Sequence, residues 1–279
     1  MSNDTTAVIA FIGGGNMARA LIGGLVGHGV APARLRVGEP QSSLCEGLAR
    51  DFSIEASTDN AHAIRDAELV VLAVKPQEAL RVLGSLLEPL SRRRPLLLSI
   101  AAGVRLADLA RVCPADLPVV RAMPNRAALL GAGVTGLYAP SAIDARERAL
   151  AERVASAAGR AVWLRTESEL DIVTALSGSG PAYFFLLAEQ MARAAEALGL
   201  ERATASLLAS ETLYGAGLLA RAGPSLAEQR AAVTSKGGTT EAALRVLQQG
   251  GFDALVAQAL AAAAARSAEL ATEQSTVPA

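Results

Sequence analysis

Residues 7–18 read AVIAFIGGGNMA, that is Ala7-Val8-Ile9-Ala10-Phe11-Ile12 running into Gly13-Gly14-Gly15-Asn16-Met17-Ala18, with an apolar helical pattern following from Ala20 to Val26. A buried strand, a glycine turn of the form G-x-G-x-x-A and a helix in immediate succession are the elements that seat a dinucleotide pyrophosphate on a helix N-terminus. Each small residue has its own task. Gly13 permits the tight turn, Gly15 lets backbone approach a phosphate, and Ala18 lets the helix close on its strand, with Asn16 and Met17 supplying the first helical amides. A glycine turn that binds nothing is the simpler alternative, and the coincidence of strand, turn and helix argues against it.

Working outward, apolar runs recur at 35–37, 69–74, 96–100 and 119–123, separated by helical patterns. This alternation predicts a mostly parallel, doubly wound α/β sheet of Rossmann type. Two more strand candidates, 134–138 and 161–164, flank a predicted helix over 142–158 and extend the sheet at its edge. After Thr166 the strand signal stops, and helical patterns cover 167–176, 181–198, 202–221, 239–249 and 252–273. The division expected is therefore a nucleotide domain over 1–165 and an all-α domain over 166–279. The helical part is rich in Ala, which leaves little side-chain volume for a core of its own, so a partner copy is expected to complete it, the plainer alternative being a small bundle docked on its own sheet.

Composition narrows the functional classes. A formal net charge of −1 without a cationic cluster gives no footprint for nucleic acid or an anionic membrane. Cys45 and Cys113 have no metal-binding spacing, and neither His28 nor His62 has a ligand-spaced neighbour, so no metal is expected. Met1–Thr6 lack a basic leader start, and the apolar stretch 254–265 is shorter than a bilayer span, which points to a cytoplasmic protein.

Candidate site residues lie at strand ends and helix starts. Glu39, at the end of the second strand, stands where an acid takes the ribose hydroxyls of NADH, yet Gln41, Ser42 and Ser43 follow as possible donors to the 2′-phosphate of NADPH, with Arg36 close by. Both nicotinamide cofactors therefore stay open, as does a reading of Glu39 as a solvated loop residue. The strand at 69–74 ends in Ala73-Val74-Lys75-Pro76, which faces the ligand crevice; a solvated lysine before a helix-starting proline is the plain alternative for Lys75. The next strand leads into Ser99-Ile100-Ala101-Ala102-Gly103, where Ala102 and its small neighbours leave room for a flat ring, or equally let a helix pack closely. In the helical part, Leu176-Ser177-Gly178-Ser179-Gly180-Pro181-Ala182-Tyr183 and Thr234-Ser235-Lys236-Gly237-Gly238-Thr239-Thr240-Glu241 both place hydroxyls and glycines before a helix, an arrangement suited to a small anion and equally to simple capping.

Taken in order, these motifs, together with Arg121-Ala122-Met123-Pro124-Asn125, make the chain resemble the pyrroline-5-carboxylate reductase family over nearly its full length. The resemblance implies reduction of 1-pyrroline-5-carboxylate to L-proline by NADPH or NADH, and a C-terminal helical domain interlocked in a homodimer, often a pentamer of dimers. It also implies a cofactor contact at Asn60 and a substrate loop at Ser235, Gly237, Gly238 and Thr240. The chain departs from the family pattern twice: Arg126-Ala127 stand for Thr-Pro after Met-Pro-Asn, and Lys236 stands for Pro before Gly237-Gly238-Thr239-Thr240.

For hydride transfer to a C=N bond, the amides and hydroxyls around Ser235, Gly237 and Gly238 would hold the carboxylate, Ser177 and Gly178 would line the substrate site, and Thr240 would hydrogen-bond the ring nitrogen. No strong general acid is in evidence, and an imine that enters protonated needs none. The rival readings are another NAD(P)-dependent imine reductase or hydroxyacid dehydrogenase, which would need a base in the helical part where Lys236 is the sole lysine, and a non-catalytic nucleotide sensor.

Overall fold

The computed structural model describes residues 7–140 and 143–275; the expected absence of a leader at 1–6 and the expected helix start at 142 lie outside them. Eight strands form one sheet: β1 (Ile9–Ile12), β2 (Leu35–Gly38), β3 (Glu55–Ser57), β4 (Leu69–Leu72), β5 (Leu96–Ser99), β6 (Val119–Met123), β7 (Gly133–Tyr138) and β8 (Gly159–Trp163), in the order β3-β2-β1-β4-β5-β6-β7-β8. All neighbours are parallel except β6 and β7. Parallel strands covered on both faces must be apolar throughout, and β1, β4 and β5 are buried at every residue.

Because side chains alternate across a strand, the sheet feeds two cores. Ile9 and Phe11 point to one face with Leu21, Ile22, Leu25 and Leu48, while Ala10 and Ile12 point to the other with Val70, Leu72, Leu83 and Leu90. Each such large side chain contributes on the order of 1.5–3 kcal/mol relative to exposure.

Two elements go beyond the sequence reading. Strand β3 has three residues, none of them buried, too short and too polar for periodicity to find. The helix Leu226–Ala232 is announced by the reciprocal capping of Ser225 and Glu228, a spacing visible in the sequence. The helix expected from 142 runs over Ala145–Ser156, with Asp144 and Glu147 capping each other's backbone amides. The expected break near Leu176 is instead a π-turn, Thr174–Gly178, within a helical run. That run, Glu169–Ala197, and not the stretch 254–265, is the one segment among the described residues with the length and composition to cross a membrane.

By contact the described residues up to Gly178 and from Ala264 onward form one compact unit, and Ser179–Ala263 form a second. The end of the last helix (Phe252–Ser275) belongs to the first unit because polar groups fasten it there: the Ser267 hydroxyl donates to Asp171 Oδ1 at 2.7 Å and that of Ser275 to Asp108 Oδ2 at 2.8 Å. In the second unit Gly180 and Ala205 are the only buried residues among those described, while Phe184, Phe185, Leu186 and Leu187 are exposed.

Gly24 lies on the helix Asn16–Gly27 where a Cβ would collide with the Ala157 carbonyl oxygen, whereas Gly27 faces open space. Gly24→Ala is expected to lower stability by about 1–3 kcal/mol through overpacking, while Gly27→Ala is neutral or stabilising by up to about 1 kcal/mol. Thermal unfolding of the two variants side by side checks this; equal midpoints would contradict the packing described.

Candidate functional site

Strand order reverses between β1 and β4, and the crevice beyond their C-terminal ends is where ligands bind in such sheets. Backbone hydrogen bonds draw the strand exits together there: Gly13 N donates to Gly38 O, and Ala73 N donates to Ile12 O, each at 2.8 Å. Gly13 has φ +97°, and a Cβ on it would lie 2.7 Å from Ala73 O. Only glycine meets both demands. Ala73 and Val74 thus form the wall against which the turn rests.

Gly15 has open space where a side chain would project and caps the helix Asn16–Gly27 without any side-chain hydrogen bond. No acid occupies the first turn of that helix. Its leading amides and dipole are therefore available to an anion, and Gly15 and Asn16 are exposed there. Asn60 begins the helix Asn60–Ile64 and packs directly on Gly38, with its buried Oδ1 lacking a partner. Lys75 is exposed and precedes the helix Pro76–Ser85. Ala102 is exposed just past the end of β5, next to Gly103 at φ +76°. The turn, the free amides and the unpaired Asn60 oxygen fit a dinucleotide.

Glu39 takes a place the sequence does not foretell. It is 7% exposed. Its Oε2 accepts the Gly14 amide at 2.8 Å and its Oε1 accepts that of Gln41 at 2.9 Å, so it is not a solvated loop residue. Arg36 turns away to Glu55 at 3.1 Å and Asp66 at 3.7 Å, which removes it as a phosphate ligand. Ser42 and Ser43 are exposed at the start of the helix Ser42–Phe52.

Ser177 and Gly178 occupy the π-turn. The Ser177 hydroxyl donates to Val173 O at 2.9 Å, so it is a back-bonding helical serine and not a free cap, contrary to the expectation of an open loop. Asn125, missed as a site candidate, holds this turn: its Nδ2 donates to Ser177 O at 3.0 Å and its Oδ1 accepts Val134 N at 3.1 Å. Irregular helical turns of this kind concentrate at functional positions. Arg126 is exposed at the start of the short 3-10 turn Arg126–Leu130.

In the second unit, Ser235–Gly238 form a reverse turn closed by Gly238 N donating to Ser235 O at 3.0 Å, with Gly237 third at φ +74°. That pattern is a type II turn, which favours proline at its second position, and Lys236 stands there. The Gly237 amide donates to Glu241 Oε2 at 2.7 Å. Both glycine amides expected to hold an anion are thus engaged inside the turn. Donors still open include the leading amides of the helix Thr239–Gln249, the hydroxyls of Ser235, Thr239 and Thr240, and the exposed Lys236.

The cysteines offer no nucleophile. Burial pushes the Cys113 thiol up to about 11. Burial also raises Cys45, helped by the Glu39 and Glu46 carboxylates. Among the described residues no cluster of His, Cys, Asp or Glu is arranged to hold a metal ion.

Comparison with known proteins matches residues 167–270 to the family described as pyrroline-5-carboxylate reductase dimerisation, and residues 8–103 to NADP oxidoreductase, coenzyme F420-dependent. A pyrroline-5-carboxylate reductase of Pseudomonas aeruginosa is 48% identical over 96% of this chain and 98% of its own. Among solved structures, a pyrroline-5-carboxylate reductase from Coxiella burnetii is similar at a TM-score of 0.92, with 39% identity over 95% of this chain and 99% of that one. The Plasmodium falciparum pyrroline carboxylate reductase with NADP bound is similar at 0.78, with 25% identity over 95% and 98%. With a relative 48% identical across almost the whole of both chains, this chain belongs to the pyrroline-5-carboxylate reductase family.

Proposed function

We propose that the chain reduces 1-pyrroline-5-carboxylate to L-proline with NAD(P)H, the closing step of proline synthesis. The observation that carries this reading is the glycine turn at the sheet's switch point, with its uncapped helix start. Gly13, Gly15, Asn16 and Met17 receive the pyrophosphate; Asn60, Ala73, Val74, Lys75, Pro76 and Ala102 line the rest of the cofactor crevice. Nucleotide binding is assigned to 1–165, and substrate binding with dimerisation to 166–279. When bound, the reduced nicotinamide supplies the hydride.

The substrate is a small anion, and the turn at 235–240 suits it. The carboxylate is received by the leading amides of the helix Thr239–Gln249 and by the hydroxyls of Ser235 and Thr239, while Gly237 and Gly238 shape the turn. The Thr240 hydroxyl oxygen accepts the N–H of the protonated imine and holds the ring for attack. No residue needs to deliver a proton, because the imine nitrogen arrives carrying one, so the protein's part is orientation and charge stabilisation. A hydroxyacid dehydrogenase would need a base in the helical part, and Lys236, its only lysine, sits exposed in a turn.

The chain assembles with copies of itself. A helical unit in which Gly180 and Ala205 are the only buried residues among those described, with Phe184, Phe185, Leu186 and Leu187 exposed, has its apolar faces covered by a second copy. The dimer is the unit of assembly and a decamer its higher form. The protein works in the cytoplasm.

Purified protein supplied with NADPH or NADH and 1-pyrroline-5-carboxylate is expected to form proline as cofactor absorbance falls; intact cofactor binding without turnover would sink the reading. Thr240→Ala is expected to lower kcat/KM on the order of 100-fold, as when one well-placed hydrogen-bonding group is lost, with Thr240→Ser restoring most of it. An unchanged value in steady-state kinetics would remove Thr240 from the mechanism. Lys236→Pro, which pre-sets the turn, is expected to raise stability by about 0.4–1 kcal/mol and to lower KM for the imine. A rise in KM would mean that the lysine side chain or its amide serves the substrate.

A further inference from the structure

The carboxylate of Glu39 is where a doubly wound sheet of this type places the acid that reads the cofactor ribose. Its surroundings do not fit that task. The residue is 7% exposed, its own amide donates to Ser57 O at 2.9 Å, and each carboxylate oxygen already holds a backbone N–H. Gly14 N donates to one oxygen at 2.8 Å and Gln41 N to the other at 2.9 Å. Among the described residues no arginine, lysine or histidine forms an ion pair with it, so the two amides are what compensate its desolvation. The Cγ of Glu39 would lie 3.2 Å from a Cβ on Gly14, and Leu48 Cδ1 only 2.5 Å, so side chains pack the inner side of the glycine turn as well.

The geometry points to Glu39 as a positioning residue that fastens the glycine turn from behind, and not as the residue that distinguishes NADH from NADPH. This rests on the cofactor reading above. The hydrogen bond to Gly14 turns that amide inward, towards Glu39. The amides that follow, from Gly15 into the helix Asn16–Gly27, are then the ones left to meet the pyrophosphate, which both cofactors carry alike. The bond to Gln41 ties the same carboxylate to the N-cap of the helix Ser42–Phe52, so the loop after β2 and the glycine turn share one anchor. Discrimination at the 2′ position falls to the exposed side chains beyond that anchor, Ser42 and Ser43.

Isothermal titration of NADP+ and NAD+ into the full-length protein and its Glu39→Gln variant tests this without turnover. A glutamine keeps the shape but sets an NH2 against one of the two backbone N–H groups. The expected result is a Kd raised about tenfold for both dinucleotides, their ratio unchanged within about twofold, at unchanged stoichiometry. A merely structural role would reduce the number of binding-competent sites and leave Kd alone, which would overturn the proposal. Selective weakening of NAD+, with NADP+ unaffected or tighter, would also overturn it, because it would place the carboxylate on the ribose. Should the glutamine variant not melt cooperatively, Glu39→Asp is read in its place; it keeps the charge one methylene short and is expected to weaken both ligands equally. A wild-type protein that binds neither dinucleotide would overturn the cofactor reading itself, a result distinct from either of these.

Discussion

The contact on which the rest depends is the seating of the first strand's exit between its two neighbours. Gly13 rests on the Ala73 peptide, hydrogen-bonds to Gly38 O, and takes a backbone conformation that other residues adopt only under strain. That one close approach fixes where β1, β2 and β4 end relative to each other. It thereby sets the direction in which the helix Asn16–Gly27 leaves the sheet and where its uncapped amides face. Ala18, fully buried, continues the same logic one turn later by letting the helix lie close on the sheet.

Around this contact the chain distributes its polar groups economically. The crevice is edged by backbone amides and by residues that stop short of filling it: the open side of Gly15, the exposed Ala102, the unpaired oxygen of Asn60. Buried charges and amides that could disturb this are tied elsewhere. Arg121 pairs with Glu167 at 2.6 Å, and the same Glu167 oxygen accepts the Leu106 amide at 2.7 Å, so one carboxylate joins β6 to the start of the helix Leu106–Ala110. Asn125 does similar work for the π-turn, satisfying a helical carbonyl and a strand amide with the two ends of one side chain. In the helical unit the polar turn at 235–238 closes on itself, and Glu241 occupies the amide of Gly237.

The doubly wound sheet was legible because its signals are local and periodic: apolar runs at strand length, punctuated by glycine, with helix patterns between. The glycine turn was legible because sterics leave few residue choices there. What could not be read depends on contacts distant in sequence. Glu39 and Gly14 are 25 residues apart, so an acid at a strand end looks the same whether it faces a ribose or a buried amide. Ser177 looked like a free cap because nothing local distinguishes a loop from a π-turn held by Asn125, 52 residues away. Arg36 looked available until β3, too short to detect, brought Glu55 beside it. The return of the last helix to the first unit likewise rests on contacts distant in sequence: the hydroxyls of Ser267 and Ser275, the Arg105 and Arg111 side chains donating to helix carbonyls, and the buried Ala271.

The central claim is that a nicotinamide held in the β1–β4 crevice delivers hydride directly to the imine carbon. The most direct measurement follows the label from NADPH deuterated at the transferred C4 position into product by mass spectrometry. The account predicts proline carrying one deuterium, on the ring carbon that was the imine carbon and not on the carbon bearing the carboxylate. Proline formed without deuterium, or labelled elsewhere, would contradict direct transfer and with it the roles given to both the crevice and the turn.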